Sequence, residues 1–146
     1  MPIAGIDHVH AAANDLDASI AFYTQVLGFR FLRRVAFGPD DARRELAYVG
    51  LGDMLLELVP PVEPPASGTA ERPFALQVED MPATIADLKA KGVAVDVEPR
   101  PGFSFGGLTA VIRDPSGLAI ELREWAGDDA HNPDWQPQRA DVVRTG

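Results

Sequence analysis

The chain has 146 residues, 46% of them apolar, and no cysteine. That length and apolar share can bury one core, and the missing cysteine removes disulfides, thiolate metal ligands and thiol nucleophiles together. A net charge of -9 argues against nucleic acid as a partner and reads first as a solubilising surface.

In chain order, Ile6 to Ala13 reads as a short extended run, after which Asn14 or Asp15 can cap a helix with Leu16, Ile20, Tyr23 and Leu27 at helical spacing. Gly28 stops that helix. Phe29 to Ala36, Glu45 to Val49 and Met54 to Val59 read as strands separated by Gly, Pro and Asp. Residues 61–72, rich in proline and then in small residues, have a linker composition. Phe74 to Val78 reads as a further strand. Asp80 then caps a helix with Pro82 in its first turn, a buried stripe of Met81, Ile85 and Leu88, and Gly92 at its end. Val93 to Val97, Leu108 to Ile112 and Leu118 to Leu122 are the last expected strands, with Arg100 to Gly107 a loop between them and residues 126–146 a polar extended tail anchored by Trp125 and Trp135. No basic segment precedes an apolar one at the N-terminus and no apolar run reaches membrane length. The expectation is a soluble cytoplasmic protein with no membrane partner.

The chain repeats itself. Asn14 to Ile20 recurs as Glu79 to Ile85, 65 residues on; Gly28 recurs as Gly92 and Leu56-Glu57-Leu58 as Ile120-Glu121-Leu122, each 64 residues on. Turn signals precede both of the latter strands, at residues 50–53 and 114–117. Internal repetition fixes architecture before any local reading. Here it predicts one domain, 1–146, made of two β-α-β-β-β units over 5–60 and 73–125.

Side chains on a strand alternate faces. His8, His10 and Ala12 therefore share one face, and Glu57 and Glu121 point away from the apolar residues that flank them. With the helices covering the apolar faces, an imidazole and two carboxylates are left to face a shared concavity. Such a set suits a hard or borderline divalent cation with positions open for water or substrate.

The stretches Ile6-Asp7-His8-Val9, Asp15 to Ser19, Phe22-Tyr23, Val26 to Phe29, Leu56 to Leu58, Asp114 to Gly117 and Ile120 to Leu122 resemble the vicinal oxygen chelate superfamily, which holds glyoxalases, epimerases, extradiol dioxygenases, fosfomycin-resistance enzymes and bleomycin-binding proteins. The resemblance implies an α+β fold in which two paired βαβββ modules form a cup-shaped mixed sheet with helices on the outer face. It implies one metal ligand from the first and one from the last strand of each module: His8, Glu57 and Glu121 match three, and Pro73 stands where a second histidine is usual. His10, Gln77 or His131 can be named as a substitute.

The expected cofactor is a divalent ion, Zn, Ni, Co, Mn or Fe. The expected activity is metal-assisted isomerisation, epimerisation or lysis of a small carbonyl compound, with Glu57, Glu121 and His10 as catalytic candidates. Two alternatives stay open: metal-free acid-base catalysis, and a sequestration protein stacking an aromatic ligand on Phe103, Phe105, Trp125 and Tyr48. A ring-cleaving dioxygenase fits less well, because its two-histidine set needs His10. The expected assembly is a homodimer.

Overall fold

The computed structural model describes residues 6–61, 73–102 and 106–126. The linker over 62–72, Phe103, Phe105, and the tail with His131 and Trp135 lie outside the described residues. Two compact units emerge, residues 1–73 with 114–118, and residues 74–113 with 119–146.

In the first unit, β1 (Val9–Ala12) leads to α1 (Leu16–Ala21), followed by β2 (Arg30–Phe37), β3 (Arg44–Leu51) and β4 (Met54–Val59). The strands form a mixed sheet in the order β1-β4-β3-β2, parallel between β1 and β4 and antiparallel elsewhere. Asp15 caps α1 by accepting from the Ala18 N-H at 3.1 Å, which satisfies one of the donors that a helix start leaves over. Beyond Ala21 the helix widens into a π turn over Phe22–Val26, closed by the Leu27 N-H donating to Phe22 at 3.1 Å.

The expected stripe holds in part: Tyr23 is buried while Leu16, Ile20 and Leu27 are half-buried, and Ser19 is buried in the α-helical turn before it. A π turn spends more residues per revolution, so beyond Ala21 the phase slips and Phe22 joins Tyr23 in the core. Tyr23 is fully buried with Phe22 and Phe29 edge-on, each at 5.4 Å. Helix α1 packs on β3 and β4, where Ala47, Val49, Leu56 and Leu58 complete the core.

The turn Asp114–Leu118 belongs to this first unit. Asp114 accepts from the backbone N-H groups of Ser116 at 2.9 Å and Leu118 at 2.8 Å, and from the Tyr23 hydroxyl at 3.1 Å. Burial pushes the Asp114 carboxyl up, against those three bonds, and the Tyr23 hydroxyl is pushed up by burial and by the Asp114 charge.

In the second unit, β5 (Ala75–Gln77) leads to α2 (Met81–Ala90), then β6 (Val95–Pro101), β7 (Gly107–Arg113) and β8 (Ala119–Trp125). The sheet order, β5-β8-β7-β6, repeats that of the first unit, with the same parallel and antiparallel pairs. Asp80 caps α2 through the Ala83 N-H at 3.0 Å, and Met81, Ile85 and Leu88 are buried as the spacing predicts.

The expected loop from Arg100 to Gly107 shrinks at both ends, because Arg100 and Pro101 extend β6 and Gly107 opens β7. At Gly107, with φ of 144°, a Cβ would stand 2.0 Å from the Glu124 carbonyl. Only glycine fits where β7 meets β8 there. Among the described residues, no helix is long and apolar enough to cross a membrane.

Candidate active site

On β4, Leu56 and Leu58 are fully buried, so strand alternation turns Glu57 to the opposite face. The register shows what meets it. His10 on β1, Glu57 on β4, Tyr48 on β3 and Arg33 on β2 are successive Cα partners, a polar row crossing all four strands. A bulge between Phe31 and Arg33 breaks the alternation of β2 just before this row.

His8 stands two residues before His10, with its Nε2 3.9 Å from Glu57 Oε1 and its Nδ1 2.8 Å from Asp7 Oδ2. The Asp7 hydrogen bond raises the His8 pKa above 6.5, against a smaller lowering by burial and with further help from the Glu57 charge. Tyr48 is the Cα partner of Glu57 on the next strand, and hydrogen bonding toward that carboxylate, with burial and the carboxylate's charge, raises the Tyr48 pKa above 10.0. An open cleft of about 410 Å³ lies over the cluster, lined by Asp7, His8, Leu32, Arg33, Tyr48 and Leu55. The first unit thus holds a carboxylate, a proton-carrying imidazole and a phenol within one polar cluster beside apolar walls.

The second unit places Glu121 at the matching position of β8 but surrounds it differently. Its Cα partners are Ala75 on β5, where the first unit has His10, and Val111 on β7, where the first unit has Tyr48. Thr109 Oγ1 donates to Glu121 Oε1 at 2.9 Å. Arg123 Nε stands 3.2 Å from Oε2, as an ion pair. The same register confirms that Pro73 corresponds to His8. Gln77 pairs with Arg123, not with Glu121.

The sequence-predicted residues thus divide. His8, His10 and Glu57 gather in the first unit, and Glu121 belongs to the second. Among the described residues no group of three or more His, Cys, Asp or Glu converges as a cation site. The first unit's donors still have the chemistry for one. Nitrogen and oxygen ligands about 2.0 to 2.2 Å from an ion stand roughly 3 to 3.5 Å apart, close to the 3.9 Å between His8 and Glu57. A carboxylate behind the far imidazole nitrogen, as Asp7 provides, is the usual support of a metal-bound histidine.

Sequence reasoning missed Asp7, Arg33, Thr109 and Arg123, and it named Tyr48 only as a stacking surface. Alternation alone puts Arg123 on the face of Glu121 two residues earlier. Arg33 and Thr109 needed the register, which a sequence does not state.

The profile of the Glyoxalase/Bleomycin resistance protein/Dioxygenase superfamily matches residues 5–122. The chain belongs to that superfamily. It is similar to a "probable lactoylglutathione lyase" of Vibrio cholerae, 37% identical over 123 residues that cover 79% of this chain and 86% of the relative. A lactoylglutathione lyase of Arabidopsis thaliana is 32% identical over 121 residues, and there the match spans 79% of this chain but 42% of the relative. Among solved structures, TnmS3, an antibiotic binding protein from Streptomyces sp. CB03234, superposes with a TM-score of 0.68 at 28% identity, covering 86% of this chain and 99% of that one. Named lyases and a named binding protein thus both resemble this chain.

Proposed function

We propose that this superfamily member is a small-molecule enzyme of the isomerase, epimerase or lyase kind, moving a proton at a carbon next to a carbonyl. The observation that carries the reading is the Asp7, His8, Glu57 and Tyr48 cluster at an open cleft. Glu57 is the base: its carboxylate is mostly covered, with 18% of the side chain exposed, and Tyr48 fixes one of its directions. His8, kept protonated to higher pH by Asp7, and His10 supply the proton that returns to the substrate. Leu32 and Leu55 give the cleft an apolar wall.

A divalent cation, which enzymes of this superfamily generally use, would find donors in His8 and Glu57 of the first unit and would polarise the substrate's oxygens. The names of the relatives make lactoylglutathione the first substrate to try. Its hydroxyl-bearing carbon lies beside a thioester carbonyl, so the proton that Glu57 would remove is the acidic one. Returning that proton to the thioester carbon gives a hemithioacetal, whose carbon–sulfur bond breaks to leave the thiol and a 2-oxoaldehyde; incubation of the purified protein with lactoylglutathione should therefore release both, and Glu57→Gln should lower the rate by about 10² to 10⁴, the range of a positioned general base. An equally active Glu57→Gln variant would remove Glu57 from the mechanism.

Sequestration of a ligand is the second reading, supported by the likeness to TnmS3 and by the Leu32, Leu55 and Tyr48 walls of the cleft. A binder would retain its ligand in Glu57→Gln and turn over nothing.

We also propose a cytoplasmic homodimer. The support for the dimer is β2, an edge strand of eight residues on which Phe31 and Leu32 are 52% and 44% exposed. A mass of 15.7 kDa by light scattering at micromolar concentration would overturn it.

A further inference from the structure

Strand β2 brings a cation to the cleft by breaking its own alternation. Phe31 pairs with Val49 and Arg33 with Tyr48, so Leu32 is one residue more than β3 can match. Regular alternation would send Leu32 and Arg33 to opposite faces. With the bulge both line the cleft, the re-aiming of a side chain that such an irregularity permits. Gly50 contributes room. A Cβ there would stand 3.1 Å from Leu32 Cδ1 and 3.3 Å from Arg30 Nη2, so the missing side chain leaves the space in which Leu32 and a second guanidinium lie over β3. Among the described residues no carboxylate pairs with Arg33, whereas its neighbour Arg34 is held by Asp17 and Glu45. Asp7, the carboxylate among the residues lining the cleft, is engaged by His8 at 2.8 Å. The Arg33 charge reaches the Tyr48 hydroxyl, where it acts against the rise in pKa that Glu57 and burial cause. In the second unit the matching row ends at Val97.

We propose that Arg33, assisted by Arg30, is the anion-recognising residue of this cleft, and that the ligand is a carbonyl compound carrying a carboxylate at the end remote from its reacting carbon. The inference rests on the reading of the cleft as the substrate site and adds to it the substrate's charge. Arg33 and Glu57 are the Cα partners of Tyr48 on its two sides, which puts their Cα atoms about 10 Å apart. The reacting carbon and the carboxylate are therefore two ends of one molecule, with Tyr48 between them. A guanidinium offers a carboxylate two parallel N-H donors and keeps its charge at any working pH. The chain as a whole, at -9, repels anions, so a preference for one must originate in a local cation.

The test is calorimetric titration of the full chain with S-lactoylglutathione and with levulinate, each against its methyl ester, which keeps the carbonyl and removes the negative charge. The acids should bind about tenfold more tightly than the esters, the low end for a hydrogen bond to a charged group. Arg33 is exposed, so its replacement leaves the core alone. Arg33→Gln should erase the preference by weakening the acids only, Arg33→Lys should retain part of it, and Arg30→Gln should reduce it by a smaller factor. Arg34→Gln, an equal loss of charge outside the cleft, should leave it intact. In turnover the Arg33→Gln loss should fall on KM with kcat kept, because the contact is the same before and during proton transfer. Esters bound as tightly as acids, acids that do not bind, or an Arg34→Gln effect equal to that of Arg33→Gln would overturn the proposal. The proton-transfer reading fails separately. An acid preference lost in Arg33→Gln, with no turnover of lactoylglutathione, keeps Arg33 and removes the reaction. Turnover that needs Glu57 but treats acid and ester alike keeps the reaction and removes Arg33.

Discussion

The two units share element order, strand pairing and helix caps, yet their polar rows are offset by two residues along the strands. In the first, His10, Glu57, Tyr48 and Arg33 form the row, and the pairs beyond it, Ala12 with Val59 and Val35 with Leu46, are apolar. In the second, the row through Glu121 is otherwise Ala75, Val111 and Val97, and the polar row lies one step on, at Gln77, Arg123, Thr109 and Arg100. A shift of two along β5, β7 and β8 keeps their side chains on their own faces, and on β6 the register irregularity between Val97 and Arg100 takes up a third residue. The fold depends on the opposite face, where Leu56 and Leu58 answer to Ile120 and Leu122. Polar chemistry can therefore move along a strand while the core is untouched.

The largest test of this comparison sets Glu57→Gln against Glu121→Gln. The first should cost about 10² to 10⁴ in turnover and the second about tenfold, because only Glu57 is flanked by proton-carrying groups. Equal losses would make the two carboxylates functionally symmetric and break the contrast.

Next in size is Tyr23→Phe. Its counterpart in the second unit is Leu88, 65 residues on, so at this position only the first unit has a hydroxyl to lose. Removing the donor to Asp114 should cost about 1 to 3 kcal/mol near neutral pH, read as a fall in Tm. The Asp114 pKa is raised above 3.8 in the folded state. Its protonated form is therefore favoured by folding, and that contribution is full below 3.8 and lost as pH rises through the folded value. The Tyr23→Phe penalty should consequently shrink on acidification. A penalty independent of pH would disconnect Tyr23 from the Asp114 charge.

Asp7→Asn should have the smallest effect. It removes the main cause of the raised His8 pKa, so NMR titration should show that imidazole returning toward 6.5. Because the folded pKa is raised, the stabilising contribution of His8 is complete below 6.5 and fades as pH climbs through the folded value. An unmoved titration would mean that Glu57, not Asp7, governs His8.

Much of this was legible in the sequence. The capping pair Asp15 and Asp80 and strand β4 are where periodicity places them, since each follows from local rules of side-chain chemistry and alternation. Glu57 and Glu121 declared themselves as charges in apolar strands. What surrounds them did not. Whether Tyr48 or Val111 lies beside the carboxylate depends on pairing between strands far apart in sequence, and no residue type announces its partner. Ala75 in place of His10 is legible in the same 65-residue offset that sets Pro73 against His8.

The π turn after α1 explains a detail of the repeat. Between Ile20 and Gly28 the first copy has one residue more than the second has between Ile85 and Gly92, which is where the spacing of the copies falls from 65 to 64. A hydrogen bond closing over five residues instead of four absorbs one extra residue within the helix. The length difference between the copies is thus stored as a wider coil. The cap before it and the β2 strand after it keep their places, and the extra residue costs the sheet nothing.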